Sequence, residues 1–352
     1  MNLQFDANIN IFYGANGQGK TNIVEGIYFL SNTSSFRTAY FKEMINYSED
    51  EAIVFGELNR NKRKEKYKII TKKNGKALFY NDISQNKTSD YIGKFNAVCF
   101  SPVDVSIFKD SPGVRRLFLD KELSALFPIY VKELIAFSKA LEKRNDSLKM
   151  KNVDMTLIEI LTNKIIEASY EVSKRRNWLI NKLNEYATKI YESITKTTNV
   201  IKIDYLTFVK ENDKAKYLQT AKSIYDKYIE KDKEKTFTNM GIHKDDFKVY
   251  LNGHEIDMYA SQGQQRLISL CIKLAVVEIM ARACNDYPII ILDDAFSELD
   301  TNKKARLFEY ICSFEQVFIT CTDYKQIITN NPSSRICLHK VKDGKIIERS
   351  FI

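Results

Sequence analysis

Several classes of protein are excluded by what the chain lacks. Histidine occurs only three times, and the six cysteines (Cys99, Cys271, Cys284, Cys312, Cys321 and Cys337) form no C-x-x-C pair. Neither a zinc-binding set nor a redox dithiol is therefore written in the sequence, and reduced thiols in the cytosol are expected. No apolar run reaches the length of a membrane-spanning helix. The opening residues "MNLQFDANINIF" lack the basic start, apolar middle and small-residue cleavage site of a secretory signal, so a cytoplasmic location with no membrane partner is expected. Arginine is scarce beside lysine, which makes the pairs Arg115-Arg116 and Arg175-Arg176 stand out.

The hydrophobic content of 44% is enough to bury a sizeable core and rules out a disordered tail. The length of 352 residues fits two domains, or one large domain with an insertion. A formal charge of +9 points to a polyanionic partner, although a lysine-rich composition also arises from an AT-rich genome. Charge alone therefore leaves nucleic-acid binding open. Arg175, Arg176 and the stretch "NRNKRKEKYK" are candidates for a DNA surface, and a solvated charged face is the commoner reading of each.

The patterning divides the chain into three. "NINIFYG" reads as a short buried strand, and "TNIVEGIYFLSN" as a helix with Ile23, Ile27 and Leu30 on one side. Between about 50 and 100, "EAIVFGEL", "KYKIIT" and "KNGKALFY" read as strands, the last with an Asn-Gly turn. Glycine is then absent from Phe127 to Tyr228, where helical patterning dominates. There Val172, Leu179 and Tyr186, with Leu183 and Ile190, make an apolar stripe a few heptads long, as expected of a bundled helix rather than a long coiled coil. β character returns at "DDFKVYLNGHEIDMY", followed by a long buried helix from "QGQQRL" and the apolar strands "PIIILDD" and "QVFITCTD". Such β/α alternation implies an α/β sheet, mainly parallel and covered on both faces. The expected organisation is a nucleotide lobe built from both chain ends, residues 1–120 and 236–352, with a mainly helical lobe, 121–235, inserted between them.

Three stretches carry chemistry. In "FYGANGQGKTN", Gly14, Gly19, Lys20 and Thr21 fit the spacing G-x-x-x-x-G-K-[ST] between a strand and a helix. Gly14, Gly17 and Gly19 let backbone N–H groups turn toward phosphate at a helix start, Lys20 adds charge near the β- and γ-phosphates, and Thr21 offers a hydroxyl to Mg²⁺. In "PIIILDDAFSELD", an apolar strand delivers Asp293 to the edge of the sheet as a metal-linked carboxylate. Asp294 follows, placed to orient or deprotonate an attacking water. In "YASQGQQR", Ser261 can cap the following helix and Gly263 leaves N–H groups open to an anion. A plain helix start is the simpler reading of that third stretch. A second phosphate-facing helix start also raises the arrangement of two subunits sandwiching ATP.

In this order the three motifs resemble the ABC-type ATPase heads of the SMC and Rad50 class, with a mixed sheet and an antiparallel β subdomain. More closely, the chain is similar to the bacterial RecF family. The stretches that carry this resemblance include "GANGQGKTNIVEGIYFLS", "SSFR", "FSPVDVSIFKDSPGVRRLFLD", "MGIHKDDF", "LNGHEIDMYASQGQQR" and "IIILDDAFSELD". The resemblance implies an ATP-dependent homodimer that binds duplex DNA beside single-strand gaps and, with RecR and RecO, supports loading of RecA. It also implies slow, DNA-dependent ATP hydrolysis. By position it implies that Gly14, Ala15, Asn16, Gly17, Gln18, Gly19, Lys20, Thr21 and Asn22 hold nucleotide, with Thr21 and Asp293 serving Mg²⁺. Asp293 and Asp294 would then serve hydrolysis, Ser261, Gly263 and Gln264 would meet the other subunit's γ-phosphate, and Arg37 would lie near nucleotide or DNA. The sequence departs from the family at "GIHKDD", where Ile242 and Lys244 replace proline and arginine, and at Val103, which replaces an acid. No histidine follows "QVFIT", so Thr320 or Thr322 is expected in the switch position. The short amino terminus leads one to expect a family strand trimmed or missing there.

A transporter subunit would carry a switch histidine and a helical subdomain just before the signature. A full SMC or Rad50 chain would need hundreds of coiled-coil residues. A related nuclease would need a further acidic domain after "SELD", where only about fifty residues follow. The alternative that survives is an ATP-binding DNA clamp or scaffold without significant hydrolysis.

Overall fold

The computed structural model describes residues 1–38, 40–60, 63–328 and 335–352. Its strands in chain order are β1 (Ile9–Tyr13), β2 (Glu51–Arg60), β3 (Arg63–Lys72), β4 (Gly75–Tyr80), β5 (Ile83–Gln85), β6 (Ala97–Phe100), β7 (Ile201–Leu206), β8 (Asp246–Leu251), β9 (His254–Glu255), β10 (Ile289–Asp293), β11 (Val317–Cys321), β12 (Ile336–Lys342) and β13 (Lys345–Phe351). The longer helices are α1 (Lys20–Asn32), α2 (Pro112–Leu126), α3 (Pro128–Leu148), α4 (Met155–Thr195), α5 (Lys214–Lys235), α6 (Gln262–Cys284) and α7 (Thr301–Ile311). Among the described residues, no helix is long and apolar enough to cross a membrane.

The chain divides into one compact unit of Met1–Val105, Tyr186–Asn199 and Ala260–Ile352, and another of Ser106–Glu185 and Val200–Tyr259. Residues 106–120 and 236–259 thus fall in the second unit and Tyr186–Asn199 in the first, a different division from the one expected of the sequence patterning. For 236–259 the reason is strand pairing. β8 pairs along its length with β7, from Ile201 opposite Leu251 to Leu206 opposite Asp246, and that strand lies in the stretch read as helical.

The first unit is built on a six-stranded mixed sheet in the order β13-β12-β1-β11-β10-β6, parallel except for β13. Its central strands are nearly continuous apolar runs because both faces are covered. α1 belongs to two cores at once. Val24 and Tyr28 pack with Phe12, Ile291 and Phe318 of this sheet. Phe29 and Leu30 pack with Tyr67, Ile69 and Leu78 of a second, antiparallel sheet ordered β2-β3-β4-β5. The approach on that side is close: a Cβ on Gly56 would lie 2.8 Å from Leu30 Cδ1. α6 is buried almost all round from Gln265 to Met280, which is why it carries no polar stripe.

The second unit combines α2, α3, α5 and most of α4 with the three-stranded sheet β7-β8-β9. The seven-residue stripe lies on one 41-residue helix, with Val172, Leu179, Leu183 and Ile190 buried. Burying charge here requires pairing. Arg144 donates to Asp232 at 2.8 Å and to Thr162 and Thr238. Arg176, named above as a candidate DNA contact, is only 2% exposed. It donates to Asp120, the Tyr130 hydroxyl and the Ile242 carbonyl, so its role is structural. Arg175 bonds Glu171 one turn earlier. Arg115 grips Asp246 through two bonds of 2.5 and 2.9 Å, and Arg116 donates to the Asp245 carbonyl at 2.8 Å. Of the stretch "NRNKRKEKYK", Asn61 and Lys62 lie outside the described residues.

Candidate functional site

β1 ends at Tyr13 and the glycine loop begins. Gly14, Gly17 and Gly19 have φ of 147°, 79° and 89°, a region that side chains other than glycine rarely enter. No side chain caps α1. The N–H groups of its first turn therefore face outward with the positive end of the helix dipole, the usual setting for an anion. Lys20 opens the helix and is 8% exposed. Its Nζ donates to the carbonyls of Gly14 at 2.7 Å and Ala15 at 2.8 Å. Burial lowers its pKa, opposed by Cys321, Asp294 and Asp293. Ala15 and Asn16 stand exposed on the rim of the loop.

Sheet register brings the acids to this loop. Asp293 at the end of β10 pairs with Thr320 on β11, and Thr320 pairs with Phe12 on β1, just before the loop. Two hydroxyls, Thr21 at 2.8 Å and Thr320 at 2.6 Å, donate to the same oxygen, Asp293 Oδ1. The Asp294 amide donates to Thr320 Oγ1 at 3.0 Å. Asp294 itself takes a left-handed φ of 51°. Ser297 Oγ donates to its carboxylate and its carbonyl, both at 2.9 Å. The Arg266 guanidinium reaches the same carbonyl, Asp294 Oδ2 at 3.3 Å, and Glu298 at 3.4 Å.

Among the described residues, no group of three or more His, Cys, Asp and Glu is placed to hold a metal. The Thr21 hydroxyl and the Asp293 carboxylate together offer two hard oxygens 2.8 Å apart. That donor set fits Mg²⁺, which keeps several waters and takes the rest of its shell from one or two protein oxygens and substrate phosphate.

At the start of α6, Ser261 and Gln264 form a reciprocal capping box. Ser261 Oγ accepts from the Gln264 amide at 3.3 Å, and Gln264 Oε1 accepts from the Ser261 amide at 2.9 Å. Nothing lies within 4 Å of where a Cβ on Gly263 would stand, so this helix start is open. Gln265, the next residue, turns inward and donates to the Ala260 carbonyl at 3.0 Å. Arg266, one turn along α6, connects this helix to Asp294.

Sequence reasoning named Arg37 and Gln18 without their partners. Arg37 Nη1 donates to Asn22 Oδ1 at 2.7 Å and pairs with Glu25 at 3.2 Å, which sets it beside the first turns of α1. Its amide donates to Ser35 Oγ at 2.8 Å. Gln18 is held by the turn between β12 and β13: its Oε1 accepts from the Asp343 amide at 2.8 Å and its carbonyl from the Gly344 amide at 3.0 Å. A Cβ on Gly14 would meet the Val341 carbonyl at 2.5 Å, and one on Gly19 would meet Gly344 Cα at 3.1 Å. The C-terminal hairpin therefore forms the back wall of the glycine loop. The Asp343-Gly344 dipeptide signals a turn in the sequence, but nothing there ties that turn to residue 18.

The family model for the RecF/RecN/SMC N terminal domain matches residues 1–345. "DNA replication and repair protein RecF" of Exiguobacterium sp. (strain ATCC BAA-1283 / AT1b) is 34% identical over 352 residues, covering 98% of this chain and 94% of that protein. The protein of the same name from Clostridium perfringens (strain SM101 / Type A) is 36% identical over 347 residues, covering 98% and 95%. A solved structure of the "recombination mediator protein RecF-ATP in RecFOR pathway" superposes with a TM-score of 0.88 at 31% identity, covering 99% of this chain and 94% of that one. An Smc head domain from Pyrococcus furiosus shares the fold alone, with a TM-score of 0.54 at 14% identity.

Proposed function

We infer the function from one premise: the chain belongs to the RecF family within the RecF/RecN/SMC N-terminal domain proteins. We read it as a DNA replication, recombination and repair protein that binds ATP. In the finer reading, ATP drives it to dimerise on duplex DNA at single-strand gaps, where it supports loading of RecA together with RecR and RecO. The observation that carries the ATP reading is the single oxygen, Asp293 Oδ1, on which Thr21 of the glycine loop and Thr320 of β11 converge. A phosphate loop and a carboxylate joined in this way make one site for a nucleotide and its cation.

In this reading the loop N–H groups from Gly14 to Gly19 and the α1 dipole hold the phosphates. Lys20 moves from the loop carbonyls onto the terminal phosphates, and Thr21 and Asp293 hold Mg²⁺. Bound there, Mg²⁺ would supply positive charge to neutralise the phosphates. Asp294 orients the attacking water, and Arg266 and Ser297 set its position. Ser261, Gly263 and Gln264 offer an open helix start to the γ-phosphate held by a second copy, which is why the dimer would depend on ATP. Hydrolysis is slow and serves to release the dimer. A clamp without turnover is the second reading, supported by the absence of a histidine after "QVFIT", where Thr320 or Thr322 stands instead.

The test is sedimentation and gapped-DNA binding without nucleotide, with ATP, and with a non-hydrolysable analogue. Wild type, Lys20→Ala and Ser261→Arg are compared. Dimerisation and tight DNA binding are expected only with triphosphate and are lost in both variants. A dimer indifferent to nucleotide would sink the sandwich. Phosphate release on DNA separates the slow ATPase from the clamp.

A further inference from the structure

Among the described residues, the antiparallel sheet β2–β5 has one face on α1, and on its other face the outward residues of β2 stand exposed. Inward-facing Tyr67, Ile69 and Leu78 are buried against Phe29 and Leu30. An outward face normally carries polar residues. Here Ile53 is 55% and Phe55 53% exposed. Register fixes their neighbours. Ile53 lies opposite Ile70, and Ile70 opposite Ala77. Phe55 lies opposite Lys68, Lys68 opposite Phe79, and Phe79 opposite Ser84. Two adjacent rows thus make an apolar strip across three strands, in which Ile70 and Phe79 are half-buried, crossed by one cation, Lys68, whose Nζ lies over the Phe79 ring 5.6 Å from its centre. The flanking rows pair Glu57 with Lys66 and Asn59 with Lys64 on one side, and Glu51 with Lys72 on the other.

We propose that this face binds single-stranded DNA, with bases stacked on Phe55 and Phe79 and the backbone running over Lys68. The proposal rests on the DNA-binding reading above. The two rings lie on the strands either side of Lys68, two strand spacings or about 10 Å apart, so the Lys68 ammonium, over the Phe79 ring at 5.6 Å, turns from that ring to a phosphate between the two stacked bases. Aromatic platforms interleaved with lysine on an antiparallel sheet suit exposed bases, whereas a duplex keeps its base faces stacked inside. Charge complementarity favours nucleic acid over a protein partner. Lys64, Lys66, Lys68 and Lys72 outnumber Glu51, Glu57 and Asp82 here, and lysine is depleted from the cores of protein interfaces. The pairs Lys64–Glu57, Lys66–Asp82 and Lys72–Glu51 are solvent-exposed. Exposed pairs are weak and yield to a phosphate.

The test measures binding of a fluorescent oligothymidylate and of a blunt duplex to the full chain with ATP, over a salt series. Phe55→Ala and Phe79→Ala each weaken oligothymidylate binding about tenfold, the loss expected of one stacked base. Duplex binding and nucleotide binding are unchanged, which also shows that the variants fold. Lys68→Gln lowers the salt slope by about one. Phe55→Trp restores affinity and gains fluorescence that the bound strand quenches, above the constant background of Trp178. Wild-type oligothymidylate affinity in the double alanine variant would overturn the proposal, as would equal loss on duplex. Tighter binding of oligouridylate than of oligothymidylate would overturn its assignment to DNA. Failure of wild type to bind either DNA overturns the underlying reading as well, whereas duplex binding without any aromatic dependence overturns this surface alone.

Discussion

Thr320 Oγ1 lies 2.6 Å from Asp293 Oδ1 and accepts the Asp294 amide at 3.0 Å, so one hydroxyl sets both acids at the end of β10. Thr320→Val keeps the shape and removes both bonds. A buried carboxylate that loses a donor costs about 1–3 kcal/mol. The expected outcome is Mg²⁺-dependent ATP affinity and ATP turnover each reduced about tenfold or more, with Thr320→Ser restoring both. Titration calorimetry with and without Mg²⁺ checks it. Equal affinity in the valine variant would show that Thr21 alone positions Asp293.

Arg266 holds the left-handed turn at Asp294 through that residue's carbonyl and carboxylate. Arg266→Ala leaves the glycine loop intact, so nucleotide affinity is expected to stay within about twofold while DNA-stimulated phosphate release falls at least tenfold. Arg266→Lys recovers little, because an ammonium cannot reach Asp294 and Glu298 with the fork of a guanidinium. Loss of nucleotide affinity in proportion to turnover would place Arg266 in binding instead.

Gly14 faces the Val341 carbonyl, 2.5 Å from where a Cβ would stand, and has a φ of 147°. Gly14→Ala therefore forces β12 and the loop apart. A loss of about 2–3 kcal/mol in urea unfolding is expected, together with loss of ATP binding. Gly17→Ala meets nothing within 4 Å and carries only the penalty of its φ of 79°. It is expected to cost about 1 kcal/mol. Equal costs at the two glycines would argue against the hairpin as the loop's back wall.

These glycines mark the limit of what the sequence discloses. The loop spacing, the acid-tipped strand and the Ser261 cap are local patterns, set by residues within a dozen positions of each other, and they are legible without a fold. Thr320, Arg266 and the Asp343-Gly344 turn act across long separations, 27 residues between Thr320 and Asp293 and 325 between Gln18 and Asp343. Only the fold brings them in: strand register for Thr320, the packing of α6 for Arg266, and the β12–β13 turn against the loop for Gln18. Register also hid β7. Its alternation of Ile201, Ile203 and Tyr205 is present in the sequence but brief, set between long helical runs, and its partner β8 lies 40 residues on from Leu206 to Asp246. Arg176 misled for a related reason: a scarce arginine reads as a ligand contact until Asp120 and Tyr130 are found around it.

Arg144 and Asp232 form a fully buried ion pair in the second unit, each side chain 1% exposed. Arg144→Ala leaves the buried Asp232 carboxylate with only the neutral donors of Asn239 and is expected to destabilise by about 3–5 kcal/mol. Replacing both, as Arg144→Met with Asp232→Leu, recovers most of that loss, because the desolvation penalty disappears with the charges. Urea unfolding of the two variants checks it. A double variant no more stable than Arg144→Ala would mean that the hydrogen bonds lost with the charges, from Arg144 to Thr162 and Thr238 and from Asn239 to Asp232, dominate.

His339 sits on β12 beside the glycine loop's first strand, stacked on Phe12 with ring centres 4.9 Å apart, and its Nε2 meets Asn10 Oδ1 at 3.1 Å. Burial, with Arg349 nearby, pushes its pKa down to about 4 from the ordinary 6.5. The unfolded chain therefore takes up a proton at a higher pH than the folded one, and stability rises with pH across that interval. The contribution is fully present above about pH 6.5 and is lost as pH falls toward 4, where it has removed about 3 kcal/mol. His339→Gln cannot charge, so the gap in unfolding free energy between variant and wild type should close, or reverse, between pH 7 and pH 5. Unfolding curves that stay parallel over that range would show that His339 titrates alike in both states.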